Sequence, residues 1–308
     1  MNTLPCSIVW DPDKSPFSLF GFEVRYYSLC WIIGFIAGYY IMSYLYRKQK
    51  IKDELFEPLF MYCFFGILIG ARLGHCLFYE PSYYLGHFWE MILPIKETAT
   101  GWKFIGYAGL ASHGATVGII TSLWLYARKY KFSLWDLWDK IALVSPLGGG
   151  FIRLGNFFNS EIIGAPTEMP WGVTFSKVDM LPRHPAQLYE AIGYFIIFAI
   201  AYYVYTRKRK DLGEGFVFGL SVFLIFTIRF FIEYIKEVQE PFELAMRENW
   251  GIDMGQLLSI PFMIVCAAVM YYAYRRNQNK EKATTTESSS NAVPTSPHKQ
   301  PNKKFKKR

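Results

Sequence analysis

The sequence predicts an all-α, polytopic membrane protein of about seven transmembrane helices, with outward-facing loops gathered into a small head. Three observations carry the prediction. The 308 residues are 52% hydrophobic and 19% aromatic with a positive mean hydropathy, too apolar for a soluble domain with an ordinary polar surface. The apolar residues fall in blocks, each long enough to cross a hydrocarbon core of about 30 Å, which takes roughly 20 helical residues. Basic residues collect in every second connection between blocks, as the positive-inside rule requires.

The blocks span 27–46, 55–79, 107–127, 135–158, 186–206, 215–234 and 255–274. The residues before the first carry Asp11, Asp13, Lys14, Glu23 and Arg25, so no uninterrupted apolar run of a cleavable signal is expected there. Phe17, Leu19, Phe20, Phe22 and Tyr26 predict an arm at the membrane interface. Arg47, Lys48, Lys50 and Lys52 follow the first block, Arg128, Lys129 and Lys131 the third, and Arg207, Lys208, Arg209 and Lys210 the fifth. Arg275, Arg276, Lys280 and Lys282 follow the seventh. The expected orientation is therefore an N-terminus and loops 80–106, 159–185 and 235–254 outside, with the C-terminus in the cytoplasm. Residues 1–276 form the predicted integral membrane unit. Residues 277–308, rich in Lys, Ser, Thr, Asn and Pro, are expected to be a disordered basic cytoplasmic tail. That tail suits anionic membrane lipids better than nucleic acid, and it supplies much of the net charge of +8.

Cys6, Cys30, Cys63, Cys76 and Cys266 have no paired spacing, and His75, His87, His113, His184 and His298 are scattered. No metal, redox centre or cofactor is expected.

Polar groups inside the apolar blocks carry the functional signal, because charge at membrane depth is costly without a cavity, a partner or a ligand. The second block holds Arg72 among Gly66, Gly70 and Gly74. The glycines predict close helix packing, whereas Arg72 needs a carboxylate, a set of carbonyls or a phosphate. The third contains His113, flanked by small residues, either a satisfied structural group or a proton acceptor. The fourth runs through Gly148, Gly149 and Gly150, which predict a broken helix, into Arg153, Asn156, Asn159 and Glu161. Snorkelling of Arg153 to the headgroups would leave Asn156 and Glu161 unexplained. The fifth opens on His184, Pro185, Gln187 and Glu190, with Pro185 as the first helical position; Gln187 and Glu190 point into the bundle or the headgroup region, or Glu190 complements the helix dipole. The sixth ends with Arg229 and Glu233 on one face, in the poorer order for a simple helix pair, and one economical arrangement joins Arg229 and Arg153 around an anion.

The ordered set of Tyr27, Gly70 to Gly74, His113-Gly114, Arg153-x-Gly-Asn156-x-x-Asn159-x-Glu161-x-x-Gly164, His184-Pro185-x-Gln187-Leu188-Tyr189-Glu190 and Arg229-x-x-x-Glu233 resembles the bacterial prolipoprotein diacylglyceryl transferase family. The resemblance covers nearly the whole chain to about Tyr274, and departs from many members at Ala115, where a second glycine follows the histidine, and in the long polar tail. It implies transfer of the diacylglyceryl group of phosphatidylglycerol to the lipobox cysteine thiol of a prolipoprotein, with release of glycerol 1-phosphate, at a bacterial inner membrane.

It also implies His113, Arg153 and Arg229 as catalytic residues. Arg153, Asn156, Glu161, Gly164, Tyr27, Glu233 and Arg72 are implied to bind substrate. Arg153 takes the lipid phosphate and Arg229 the charge developing on the leaving group. Tyr27, Asn156 and Glu161 hold the headgroup and the guanidiniums, Glu233 orients Arg229, and His113 is the base or a headgroup ligand. An anionic-solute transporter using the same arginines is the alternative, and a bundle that only scaffolds partners a third.

Replacing His113 by Gln or Asn in a purified transfer assay separates its two roles. A rate retained across titration of the acceptor thiol, whose unperturbed pKa is roughly 8.5, removes the assignment as base.

Overall fold

The computed structural model describes residues 8–13, 15–19, 22–98, 101–104, 109–238 and 241–290. In chain order the elements are β1 (Ile8–Trp10), β2 (Phe17–Leu19), β3 (Phe22–Val24), α1 (Tyr26–Lys48), α2 (Asp53–Phe78), α3 (Pro81–Tyr84), α4 (Phe88–Ile92), β4 (Ile95–Thr98) and β5 (Gly101–Phe104). They continue with α5 (Ser112–Tyr130), α6 (Leu134–Asn159), β6 (Val173–Phe175), β7 (Pro182–Arg183), α7 (Ala186–Arg207), α8 (Arg209–Leu212), α9 (Phe216–Glu233), α10 (Pro241–Trp250) and α11 (Met254–Ser290). The helices α1, α2, α5, α6, α7, α9 and α11 match the seven predicted blocks. Six of them are long and apolar enough to cross a bilayer. The 19-residue α5 falls short, because Ser112, His113, Arg128 and Lys129 dilute its ends. It is a multi-pass membrane protein whose lipid-facing helices leave Ile36, Phe64, Ile69, Val117 and Ile196 exposed. Lipid removes the need to bury such side chains, so the packing follows small residues and polar contacts.

The helix ends obey local chemistry. Asp53 and Glu54 open α2 and Arg47 and Lys48 close α1, each complementing the dipole. Ser133 caps α6, accepting from the Asp136 N–H at 3.5 Å. Lys131 ends α5 and Ser160 ends α6, both in the left-handed conformation. The predicted break at Gly148 to Gly150 does not occur, since α6 is continuous from Leu134 to Asn159. Two of those glycines instead admit neighbours: a Cβ at Gly149 would lie 3.1 Å from the Tyr194 ring, and one at Gly150 would lie 2.5 Å from Phe195. The last helix runs past residue 276 to Ser290; residues 291–308, like Phe20, Gly106 and Tyr107, lie outside the described residues.

Two groups of helices result. In one, α1 lies along α6, α6 along α7, and α9 along α11; in the other, α2 and α5 form a close pair. Glycines make that pair possible: a Cβ at Gly70 would stand 2.3 Å from the Gly114 carbonyl oxygen, and one at Gly118 2.0 Å from that of Gly66. The groups join through a cluster of Met42, Tyr46, Phe56, Leu59, Tyr126 and Leu137 at the end of the bundle that carries the basic connections. There Tyr126 donates to the Leu55 carbonyl at 2.5 Å.

At the opposite end, the connecting segments form a small head. Strand β1 pairs parallel with β6, β6 pairs antiparallel with β7, and Gly164 bridges to Lys236, tying the segment after α9 to the segment after α6. The segment read as an arm contains the β2–β3 hairpin, with Phe17 paired to Val24, and Tyr26 stacks on Phe158 at 4.6 Å. Trp10 anchors β1 to the end of α6 by donating its indole N–H to the Phe157 carbonyl at 3.0 Å.

Replacing Gly118 by Leu is expected to lower stability by about 2 kcal/mol through overpacking. Gly38→Ala, where a Cβ meets nothing within 4 Å, is expected to leave it no lower. Thermal unfolding of both purified variants checks the contrast.

Candidate active site

The chemistry concentrates where α6 ends. Arg153 and Asn156 lie one turn apart, and Arg153 Nη1 donates to Asn156 Oδ1 at 3.4 Å. Beyond Asn159 the chain reverses through Ser160 (φ 56°) and Ile162 (φ 55°), two non-glycine residues in the left-handed region. That conformation costs roughly 1–2 kcal/mol per residue, most sharply for a β-branched side chain such as Ile162. The reversal swings Glu161 back over the helix end. Asn156 Nδ2 donates to its carboxylate at 3.3 Å, Asn159 Nδ2 donates to the other oxygen, and Gln187 Nε2 fixes its backbone carbonyl at 2.6 Å.

From α7, the fully buried Glu190 meets Arg153: its Oε2 lies 2.7 Å from the guanidinium Nε, while the arginine side chain keeps 19% of its surface exposed. The other Glu190 oxygen lies 3.0 Å from Lys236 Nζ, and Lys236 in turn lies 3.4 Å from Glu233. Arg153, Glu190, Lys236 and Glu233 thus form an unbroken chain of alternating charge with zero formal sum. A buried carboxylate is tolerated when paired on both oxygens, and this arrangement supplies that. Arg229 lies one turn before Glu233 on α9, which brings the second arginine to the same end of the bundle. Arg229 is exposed and has no ion pair among the described residues. Glu233 therefore serves Lys236 and not Arg229. Gly255 packs on that carboxylate, where a Cβ would lie 2.7 Å from the carboxyl carbon.

Tyr27 packs against Gly155, whose absent Cβ would lie 2.7 Å from the ring, so the phenol stands beside the Arg153–Asn156 turn. Gly164 is a crossing point of three segments: a Cβ there would meet His184 at 2.6 Å and the Ile235 carbonyl at 2.8 Å. Its carbonyl accepts from Arg183 Nη1 at 3.2 Å. Arg183 also binds Asp179, at 2.5 Å, and Glu237, at 3.0 Å, holding the Asp179 carboxyl below the usual carboxylate range. Burial holds His184 below the usual histidine range.

Arg72 stands apart from this cluster. Its guanidinium donates to the carbonyls of Met91 at 3.1 Å, Glu90 at 2.5 Å and Gly109 at 3.4 Å, with the Tyr84 ring 4.8 Å away. Of the three partners its depth demanded, the fold supplies carbonyls, and Arg72 pins the loop between α2 and α5. Glu90 within that loop accepts from the Glu97 backbone N–H at 2.8 Å and from Tyr83 at 2.7 Å, which lowers its pKa. His113 also stands apart: its exposed ring lines an apolar groove of about 830 Å³ on one face of the α2–α5 pair. Across the opposite face of α2, an apolar cavity of about 590 Å³ runs between α1, α2 and α6 from Phe56 to Trp31, Leu110 and Ile152, the residue before Arg153.

The site is thus an amide-and-guanidinium turn, backed by a neutral ion-pair chain, with the neighbouring Ile152 lining one end of the apolar cavity. Residues 14–272 match the family model described as prolipoprotein diacylglyceryl transferase. The chain belongs to the prolipoprotein diacylglyceryl transferase family. It is 54% identical over 281 residues to the phosphatidylglycerol–prolipoprotein diacylglyceryl transferase of Bacteroides fragilis, covering 91% of this chain and all of that one. It is 42% identical to those of Porphyromonas gingivalis (85% of this chain, 93% of the relative) and Tolumonas auensis (85% and 96%). Membership of a transferase family makes the chain an enzyme and sets the transporter alternative aside.

Two members of the candidate site have sequence signals that do not reveal their partners. Glu190, in the first turns of α7, fits the bundle interior, the headgroup region or the helix dipole when read alone, and its pairing with Arg153 joins two different helices. Lys236 carried a signal in its i, i+3 spacing from Glu233, but its link to Glu190 joins residues far apart in the chain.

Replacing Lys236 by Met leaves Glu190 with Arg153 alone and Glu233 without its cation, and is expected to cost about 3 kcal/mol of stability. Lys236→Arg is expected to recover most of it. Thermal unfolding of the two purified variants checks this, and a Lys236→Met protein as stable as the parent would remove Lys236 from the network.

Proposed function

We propose that the enzyme transfers the diacylglyceryl group of phosphatidylglycerol to the lipobox cysteine of a prolipoprotein, with the lipid phosphate bound at Arg153. The carrying observation is the apolar cavity between α1, α2 and α6, which ends one residue from an arginine already oriented by Glu190. Acyl chains fit the cavity, and a phosphodiester at its end meets the exposed part of the guanidinium.

In the transfer, the acceptor sulfur attacks the glycerol carbon bonded to the phosphate oxygen. A carbon–sulfur bond forms, the carbon–oxygen bond breaks with its electron pair, and glycerol 1-phosphate departs while a base takes the thiol proton. The phosphate gains negative charge as that bond breaks, so fixed cations in a water-poor site lower the barrier. Arg153 supplies a fork held in place beforehand, its resting charge balanced by Glu190. Arg229, free of any ion pair among the described residues, is the cation left to meet the growing charge. Asn156 and Glu161, fixed by Asn159 and Gln187, offer hydrogen bonds to the glycerol hydroxyls, and Tyr27 closes the side of the turn. Gly164 acts by permitting the crossing that brings Lys236 to Glu190. Arg72 and His113 act away from the phosphate: Arg72 through the loop it pins, His113 toward a substrate group arriving along its groove.

The distribution of basic residues supports an inner-membrane orientation with the N-terminus periplasmic and the C-terminus cytoplasmic. The basic tail suits anionic membrane lipids, with no nucleic-acid partner.

The test combines purified enzyme, labelled phosphatidylglycerol and a lipobox peptide. Arg153→Lys keeps the charge but loses the bidentate fork, and is expected to lower the rate of lipidated-peptide formation on the order of a hundredfold, the scale of one lost transition-state donor. Near-normal turnover would contradict the phosphate assignment.

A further inference from the structure

A polar cavity of about 590 Å³ opens at the basic end of the bundle, away from the candidate site, between the ends of α1 and α7, the short α8 and Asn277 of α11. Lys48, Arg207, Arg209 and Lys210 line it against a single carboxylate, Glu214. Positive-inside topology asks only that cations occupy these connections, in any direction. Here four of them, drawn from two connections, converge on one concavity.

Its floor is a built structure. Arg209 is held by Asp136 and by Glu214, the latter at 3.4 Å, and lies over the Tyr205 ring at 5.0 Å. Gln49 donates to the Tyr205 hydroxyl at 2.7 Å, and Asn277 Nδ2 donates to the Lys210 carbonyl at 2.8 Å and to that of Asp211 at 3.2 Å, fixing α8 against α11. The rim is different. Lys48, Arg207 and Lys210 are exposed and have no ion pair among the described residues, whereas Arg47 on the neighbouring turn pairs with Asp53 at 3.6 Å. One turn further into the helices, Tyr44 on α1 and Tyr203 on α7 are exposed, as interfacial aromatics are at headgroup depth. A preorganised floor, an uncompensated cationic rim and flanking interfacial tyrosines are what a phosphate carried on lipid chains needs.

We propose that this cavity binds the phosphodiester headgroup of an anionic glycerophospholipid. The phosphate sits among Lys48, Arg207 and Lys210, and the chains descend past Tyr44 and Tyr203. A lipid so placed clamps the ends of α1 and α7.

The test uses the full chain in phosphatidylcholine nanodiscs containing a small fraction of phosphatidylglycerol with a diazirine on its headgroup, followed by illumination and peptide mapping. Label is expected in segments 44–50 and 205–214, displaced by unlabelled phosphatidylglycerol and not by added phosphatidylcholine or inorganic phosphate. The double variant Arg207→Gln/Lys210→Gln is expected to reduce label in these segments on the order of tenfold, with label beside Arg153 as the internal reference. Equal displacement by phosphatidylcholine, or undiminished label in the variant, overturns the proposal. Displacement by inorganic phosphate alone overturns it in favour of a free-anion site. Should the variant fail to fold, displacement on the parent protein decides.

Discussion

A carboxylate sealed among apolar helices must be matched by cations, and the pairing of Glu190 with Arg153 and Lys236 sets the terms for the rest of the head end. Leaving Glu190 with one partner would cost several kilocalories per mole, so α6, α7 and the segment after α9 are obliged to meet. The obligation explains features that look unrelated. Gly164 lacks a side chain because the segment carrying Lys236 passes through the space a Cβ would fill. Gly255 yields to Glu233 for the same reason. The left-handed residues Ser160 and Ile162 turn the chain tightly enough for Glu161 to stay beside Asn156 while the head segment crosses to Lys236.

The second organising constraint is the close approach of α2 and α5. Backbone contact through Gly66, Gly70, Gly114 and Gly118 makes these helices a rigid unit that needs no broad apolar contact with its neighbours. Joined to the other helices by the aromatic cluster at the basic end, the pair leaves space along α1 and α6 nearer the head. Ile152, the residue before Arg153, lines one end of that space.

Much of this was legible in the sequence because bilayer physics acts on each segment alone. Seven apolar blocks, their basic connections and the costly polar residues at Arg72, Arg153 and Arg229 follow from length, hydropathy and charge. The turn of Arg153, Asn156 and Glu161 was equally legible, since its members are neighbours along one helix end. Legibility failed where a residue has two uses. The triple glycine of α6 fits a break or a close approach, and the distinction depends on Tyr194 and Phe195 from another helix. Arg72 fits a phosphate or carbonyls, and the loop that supplies the carbonyls lies some twenty to forty residues further along the chain.

The sequence by itself determined the membrane class, the helices and the residue types gathered at the candidate site, because those depend on local hydropathy, helical period and the cost of charge in lipid. Tertiary structure decided the pairing: that Glu190 and not Glu233 orients an arginine, that Lys236 joins the two carboxylates, and that His113 faces a different groove from Arg153. Ion pairing between distant segments depends on distance and burial, and neither is set until the helices have packed.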